Sequence, residues 1–379
     1  MNYWGRYMNA LEKMQDITCN VGAYIDAFKR KSGKKIVGVM HPIVPQELIY
    51  SAGLHPMRLF PLRKEPITKA HESLQAYTSS IFRAIWDQVL KGEYDFLDAV
   101  VLPESCETVT YFARGWQFNR PADVVLTFSG VRFHKNENGT KFFRKEAETL
   151  MKSLEELSGQ KVSHQKLIDA TILFNENRNL LKKIFESRKE QPPRISGADF
   201  FDIAMASSVM DKTESNLALS DIIKNLEKID AKGKEERKRI LLSGPCVIDR
   251  KLIEAIESSG AVVVADDTNM GLRSFWTNVD LNDEPLSALA KAYAGVPCPF
   301  STSAEDRLKM IGDLIREFNI DGVIFAIEKF CESESMDFPY LEKNISEVFH
   351  KPVLFIETEF LCNMAPIKTR IDGFVESIS

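Results

Sequence analysis

The chain has 379 residues, of which 44% are apolar and 27% are charged, and its formal net charge is −5. These values are typical of a globular protein with a sizeable core, and the length predicts two domains. Basic and acidic residues are interspersed without a basic stripe, which argues against nucleic-acid binding. No apolar run approaches the roughly 20 residues that span a bilayer, and the N-terminus lacks a signal-peptide core, so we expect a cytoplasmic protein without a membrane segment.

The first half of the chain alternates short apolar runs, of the length of buried strands, with segments of helical periodicity. The predicted helices cover 4–31, 45–53, the segments SSIFRAIWDQVLKG and TVTYFARGWQF, and 164–188. The predicted strands cover 34–40, 96–103 and 122–128. The segment KEQPPRISG, 189–197, has two prolines and no apolar period, so it marks the expected domain boundary.

The second half repeats this alternation after a helical stretch, 198–230, and a charged linker, AKGKEERK. The predicted strands are RILLSG, AVVVADD, GVIFAIE and PVLFIETE, and the predicted helices are DRKLIEAIESSG, AEDRLKMIGDLIREF and YLEKNISEVFH. Strands rich in Val, Ile and Leu that alternate with helices indicate parallel sheets covered on both faces. The sequence therefore predicts two doubly wound α/β domains of Rossmann or flavodoxin type, 33–192 and 193–379, after a helical N-terminal segment, 1–32.

Two of the six cysteines occupy similar positions in the two halves. Cys106 and Cys331 each follow a predicted strand, and each is followed directly by a glutamate. The two strands also begin near an aspartate, Asp98 and Asp321. Sheets of this kind bind ligands at the carboxyl ends of their strands, so the two thiols are expected to converge in the crevice between the domains. Buried packing is the alternative role for any one cysteine.

Polar residues near other strand ends are further candidates. Asp266 and Asp267 end the strand AVVVADD, where carboxylates bind a ligand or, alternatively, cap a helix. Arg273, six residues later, is a candidate contact for a phosphate or carboxylate, with a surface arginine as the alternative. Cys246, in SGPC, and Cys298, in GVPCPF, lie near predicted loops and are weaker candidates.

Four segments carry a resemblance to a known family. They are GKKIVGVMHPIVPQELIYSAGLHPMRLF, 33–60, YDFLDAVVLPESCETV, 94–109, VVVADDTNMGLRSFWTNV, 262–279, and DGVIFAIEKFCESESMDFPYLEK, 321–343. With these segments the chain resembles the 2-hydroxyacyl-CoA dehydratases, a family that also contains the substrate-binding subunits of ATP-dependent benzoyl-CoA reductases. The last segment is the most specific, because a strand, Phe-Cys, an acid and a helix start with Asp-x-Pro follow one another there.

This resemblance implies a heteromeric enzyme with a paralogous second subunit and an acyl-CoA substrate. Each subunit of such enzymes typically holds a [4Fe-4S] cluster by three cysteines, and a separate ATP-dependent iron–sulfur activator protein supplies single electrons. The implied reaction is the radical elimination of water from an (R)-2-hydroxyacyl-CoA to give a 2-enoyl-CoA. The alternatives are the substrate-binding subunit of a benzoyl-CoA reductase, to which 158–181 is also similar, and a supporting subunit without a cluster.

By the same resemblance, Cys106 and Cys331 match the second and third cluster ligands. The first ligand is expected in YTSSIFR, where Ser79 stands in place of a cysteine. Thiolates are the usual ligands of such clusters, and a serine alkoxide is a poor substitute. Three outcomes stay open: an unusual site completed by Ser79, water or another cysteine; a labile cluster; or no cluster in this chain.

The resemblance also implies a catalytic residue. Glu47, in VPQEL, matches a family glutamate near the acyl site, where it would accept a proton or hydrogen-bond to CoA. The alternative is that Glu47 stabilises the first turn of the helix after Pro45, since acids favour helix N-termini.

Overall fold

The chain folds around two four-stranded parallel sheets, each covered by helices. The computed structural model describes residues 3–129, 137–229, 237–245 and 247–378, with side chains from residue 10 onward. The first sheet has the order β2-β1-β3-β4 and the second has the order β6-β5-β7-β8. Relative to their own first strands the two orders are the same, so the two halves are copies in topology and the predicted doubly wound α/β class is confirmed.

The strands of the two sheets lie where the apolar runs predict them, with one addition. The strands are β1 (Ile36–Val39), β2 (His55–Arg58), β3 (Ala99–Pro103), β4 (Val125–Phe128), β5 (Lys238–Ser243), β6 (Ala261–Asp267), β7 (Gly322–Glu328) and β8 (Val353–Thr358). Strand β2 was not predicted. It has four residues and contains Pro56, which is tolerated because β2 pairs only with β1 at the edge of its sheet.

Helices connect the strands and surround both sheets. In the first half they are α1 (Tyr3–Cys19), α2 (Val21–Ser32), α3 (Gln46–Ser51), α4 (Ser80–Leu90), α5 (Glu107–Asn119), α6 (Glu137–Ser158) and α7 (His164–Glu186). In the second half they are α8 (Gly197–Ser207), α9 (Lys212–Leu226), α10 (Arg250–Glu257), α11 (Pro285–Ala294), α12 (Ala304–Glu317), α13 (Glu332–Val348) and α14 (Met364–Ser377).

Several helix boundaries differ from the predicted ones. The predicted helix 4–31 is divided at Asn20, and the stretch 198–230 is divided before Asp211, whose side chain caps α9. Helix α13 begins at Glu332, before Pro339, so the prediction from YLEKNISEVFH missed its first two turns. Most of the charged linker and the residue Cys246 lie outside the described residues.

The N-terminal helices pack onto the second half of the chain. Leu11, Met14 and Ile17 of α1 belong to the same buried core as Ile203 of α8 and Leu219 of α9. The predicted domain boundaries, which place 1–32 and 33–192 before 193–379, stay a prediction. Within the described part of the chain, no helix is long and apolar enough to cross a membrane.

Candidate active-site cavity between the two sheets

A cavity lies where the carboxyl ends of both sheets meet, with about 860 Å³ of space when the part open to solvent is included. Residues of both halves line it, including Met40, Arg58, Ser79 and Cys106 from the first half and Asn269, Glu328 and Cys331 from the second. The structure therefore places Cys106, Cys331 and Ser79 at one site, although they are far apart in sequence. A crevice at the carboxyl ends of parallel strands is the usual ligand site of this fold class.

Three helices begin at this cavity. Ser79 is the residue that precedes α4, Cys106 precedes α5 and Cys331 precedes α13. The unpaired backbone N–H groups of a helix start give it a partial positive charge, so three such ends favour negative charge in the cavity. Phe330, just before Cys331, has a φ of 66°, an uncommon value for an aromatic residue, where the chain turns sharply from β7 into α13.

The thiols of Cys106 and Cys331 are held in their neutral form. Burial raises the pKa of the Cys331 thiol, and the carboxylate of Glu334 raises it further. Burial also raises the pKa of Cys106. A thiol is a poor ligand and nucleophile until it loses its proton, so neither sulfur is activated by the protein alone.

A hydrogen-bonded group of one carboxyl and two hydroxyls occupies the wall beside the thiols. Oε1 of Glu328, the last residue of β7, accepts hydrogen bonds from Ser79 Oγ at 3.2 Å, Ser80 Oγ at 2.5 Å and the backbone N–H of Ile81 at 3.3 Å. Burial raises the pKa of Glu328 to about 7, although these hydrogen bonds act in the opposite direction. Glu328 was not among the residues predicted from the sequence, where its only signal was its place at a strand end.

His41 and Arg58 are two further cavity residues that were not predicted from the sequence, and both lie at or just beyond the end of a strand. Nδ1 of His41 accepts from the backbone N–H of Ile43 at 3.3 Å, and Nε2 lies 3.6 Å from Sγ of Cys298. Burial and the nearby Arg58 cation hold the pKa of His41 well below its ordinary value, so the imidazole is neutral. The site thus combines a neutral imidazole with a buried guanidinium.

The predicted substrate contacts Asp267 and Arg273 form an internal ion pair. Nε of Arg273 donates to Oδ1 of Asp267 at 2.7 Å, and Nη2 donates to Oδ2 at 2.9 Å. Burial alone would raise the pKa of Asp267, but the Arg273 cation outweighs it and the pKa is lowered. Arg273 and Arg307 also donate to the two carboxylate oxygens of Glu334, at 2.8 and 2.7 Å. Since Glu334 lies in the first turn of α13, this cluster fixes the helix that begins after Cys331.

Asp266 and Glu47 also have internal partners. Oδ2 of Asp266 accepts from Nη2 of Arg188 at 3.0 Å. Glu47 is fully buried; its Oε1 accepts from Nη2 of Arg178 at 2.8 Å, and its Oε2 accepts from the hydroxyl of Tyr293 at 2.6 Å. Neither carboxylate is among the residues that line the cavity. Their predicted roles in catalysis and substrate binding stay predictions.

Within the part of the chain that the structure describes, the donor set of the cavity does not fit the three-thiolate cluster that the resemblance implies. Two described thiols, Cys106 and Cys331, line the cavity, and the hydroxyl at the third position, Ser79, already donates to Glu328. Among the described residues, no group of three or more His, Cys, Asp and Glu side chains is arranged to hold a metal ion. Cys298 is buried beside His41, Cys19 is exposed, and Cys362 lines a second cavity.

Comparisons with known proteins identify the family of the chain. The sequence matches the family model described as 2-hydroxyglutaryl-CoA dehydratase, D-component, over residues 43–378. It is 24% identical to the lactoyl-CoA dehydratase subunit beta of Anaerotignum propionicum over 371 residues, 97% of this chain and 98% of that protein. It is 25% identical to the (R)-phenyllactyl-CoA dehydratase beta subunit of Clostridium sporogenes over 366 residues, 96% and 97% of the two chains. It is 26% identical to the C subunit of the benzoyl-CoA reductase of Thauera aromatica over 353 residues, 91% of each chain. The resemblance seen in the sequence is confirmed: the chain belongs to the 2-hydroxyglutaryl-CoA dehydratase D-component family.

Proposed function

We propose that this chain is the beta-type subunit of a heteromeric enzyme that removes water from an (R)-2-hydroxyacyl-CoA to give a 2-enoyl-CoA. The observation that carries the proposal is the cavity at the carboxyl ends of both sheets, where Ser79, Cys106 and Cys331 meet. These are the positions that the family resemblance singles out. The similarity to two dehydratase beta subunits over nearly the whole chain supports the same reaction class.

The walls of the cavity suit the acyl end of such a substrate. Phe82, Ile85 and Phe300 provide apolar surface for a hydrocarbon chain, and the Arg58 guanidinium provides a buried positive charge. A buried cation stabilises negative charge that develops on a carbonyl oxygen far better than a cation in water does. We therefore propose that Arg58 faces the thioester oxygen of the bound substrate.

Elimination from such a substrate requires an electron, because the β-proton of an acyl-CoA is too weakly acidic for a side-chain base. We propose that an ATP-dependent iron–sulfur activator delivers this electron and that a paralogous second subunit receives it. Loss of water changes no net oxidation state, so the electron is returned at the end of each turnover. The relatives named above are themselves subunits of dehydratases and of a reductase, which supports a multi-subunit assembly.

A reconstitution experiment tests this function. The chain, its second subunit and the activator are purified without oxygen, and (R)-2-hydroxyacyl-CoA thioesters are followed by mass spectrometry. We expect 2-enoyl-CoA only when all three proteins and ATP are present. The Arg58→Met variant is expected to lose this activity, whereas Arg316→Met, which changes an exposed arginine of α12, is expected to retain it.

The main alternative is an aryl-CoA reductase, which the 26% identity to the benzoyl-CoA reductase of Thauera aromatica favours. The same preparation is therefore also incubated with benzoyl-CoA. Reduction of the aromatic ring without dehydration of any hydroxyacyl-CoA would show that the enzyme is an aryl-CoA reductase and not a dehydratase. Consumption of neither class of thioester by the complete assembly would refute both.

A further inference from the structure

We infer that Glu328, together with Ser79 and Ser80, closes the third ligand position of the cavity and so prevents Ser79, Cys106 and Cys331 from holding a [4Fe-4S] cluster. Glu328 then decides whether the cavity of this subunit can hold a cluster. The inference rests on the proposed function for the kind of cluster that is excluded. The hydrogen bonds that exclude it are independent of that function.

The position is closed by contacts that leave little freedom. The Glu328 side chain is only 3% exposed, and one of its oxygens accepts from Ser79, Ser80 and the backbone of Ile81. Ser80 Oγ accepts in turn from the backbone N–H of Phe360 at 2.6 Å, so this hydroxyl is used as both donor and acceptor. A metal bound at Ser79 would have to displace hydrogen bonds within this buried network, which is costly.

The chemistry of the position also opposes a cluster. A serine hydroxyl that donates a hydrogen bond to a neighbouring carboxyl keeps its proton and is not an alkoxide, and thiolate is the usual ligand of these clusters. Ionised Glu328 would place a second negative charge beside any thiolate-bound cluster, in a buried site where like charges repel strongly. A neutral, protonated Glu328 would still accept the hydrogen bond from Ser79 and leave no free ligand.

Glu328 also holds Cys331 in place. The backbone N–H of Cys331 donates to the backbone carbonyl of Glu328 at 2.9 Å, closing the turn between β7 and α13. Glu328 is also paired with Thr358 across the sheet, so its position is fixed by β8. Cys331 is therefore held in place even though the third position is closed, so a thiol at position 79 together with removal of the Glu328 charge should recreate a cluster site.

The test asks whether substitutions at Ser79 and Glu328 allow the chain to bind a cluster. Four full-length proteins are reconstituted without oxygen with iron and sulfide: wild type, Ser79→Cys, Glu328→Gln, and the double variant Ser79→Cys/Glu328→Gln. Glutamine keeps the shape of the side chain while removing its charge, and circular dichroism checks that each variant is folded. Iron and acid-labile sulfide are then counted per chain, and the absorbance near 400 nm is recorded before and after dithionite.

We expect no stoichiometric iron in the wild type or in Glu328→Gln, and about four irons per chain in the double variant, the content of one cubane. Ser79→Cys alone should bind less than half as much, because the carboxyl remains beside the new thiol. Adding Cys106→Ala to the double variant should remove the iron again. About four irons in the wild type, or a folded double variant that binds no more iron than the wild type, would overturn the inference.

The outcome can be separated from that of the proposed function. Iron is counted on the isolated chain, whereas dehydration is measured on the complex with the second subunit. A wild-type chain without iron in a complex that dehydrates its substrate agrees with both. Absence of iron in an inactive complex would refute the proposed function alone, and an iron-loaded wild-type chain in an active complex would refute the inference alone.

Discussion

Asp98 and Asp321 make the same contact in the two halves of the chain. Oδ2 of Asp98 accepts a hydrogen bond from the backbone N–H of Ile36 at 2.8 Å, and Oδ2 of Asp321 accepts from the backbone N–H of Arg239 at 2.8 Å. Each aspartate also donates its own backbone N–H to the carbonyl of the same partner residue. The third strand of each sheet is therefore tied at its start to the first strand by one repeated device.

We expect Asp98→Ala and Asp321→Ala each to lower the free energy of unfolding by about 1.5–3 kcal/mol, the usual value of a hydrogen bond to a charged group. Asp98 also pairs with Lys29, at 2.7 Å, so its variant should be the more damaging. Urea unfolding followed by circular dichroism measures both. Asp313→Ala, at an exposed ion pair, is the control and should change stability by less than about 0.5 kcal/mol. If either substitution left the free energy of unfolding unchanged, the two contacts would not be equivalent.

The role of Glu47 can be decided by comparing stability with activity. Because Glu47 is buried against Arg178, Glu47→Gln should leave an uncompensated cation and lower the free energy of unfolding by about 3–5 kcal/mol. Tyr293→Phe removes one hydrogen bond to the same carboxylate and should cost about 1–3 kcal/mol. If Glu47→Gln keeps its stability and loses dehydration in the reconstituted complex, Glu47 acts as the proton acceptor that the resemblance implies.

Two arginines of α12 allow a buried ion pair to be compared with an exposed one. Arg307 is fully buried between Glu334 and Asp337, whereas Arg316 pairs with Asp313 at the surface. Arg307→Met should lower the free energy of unfolding by about 3–5 kcal/mol, because it removes a buried cation that pairs with the carboxylates of Glu334 and Asp337. Arg316→Met, on the same helix, should cost about 0–1 kcal/mol. Equal effects in thermal or urea unfolding would contradict the assignment of Glu334 to a buried, charged cluster.

Glu328 should make stability depend on pH. Its pKa is raised from 4.5 to about 7, so between these values the folded protein binds more protons than the unfolded chain. The contribution is therefore present at low pH and is lost as the pH rises towards 7, by roughly 3 kcal/mol in all. Glu328→Gln lacks this titration. We expect the stability of the wild type relative to Glu328→Gln to fall between about pH 4 and about pH 8 in urea titrations. A constant difference would show that the pKa of Glu328 is not raised by folding.

The thiols should differ widely in reactivity. Burial raises the pKa of Cys298 to about 11, whereas Cys19 is exposed on the surface. With iodoacetamide near pH 8, we expect peptides that contain Cys19 to be modified first and Cys298 to react about 100-fold more slowly than an ordinary exposed thiol. In urea the two should react at similar rates, which controls for sequence effects. Rapid modification of Cys298 in the folded protein would show that solvent reaches the His41 side of the cavity.

Much of the fold follows from the sequence because each strand is a local apolar run. Strand β2 and the divisions near Asn20 and before Asp211 were missed, since a four-residue edge strand and a helix break leave little periodic signal. The cysteines of the cavity were found because both follow strand ends. Glu328 was not, because its partners Ser79 and Ser80 lie 249 and 248 residues away, and contacts of that range leave no pattern in a single sequence.

The position of the cavity has a consequence for motion. Cys106 is carried by the first sheet, and Cys331 and Glu328 are carried by the second. A small rotation of one half against the other would change the distance between the two sulfurs without breaking any hydrogen bond within either sheet. The hydrogen bond between Ser79 and Glu328 connects the two halves across the cavity and opposes such a rotation. The width of the cavity thus depends on how the two halves pack against each other. A protein bound across the mouth of the cavity would therefore change the distance between the sulfurs of Cys106 and Cys331.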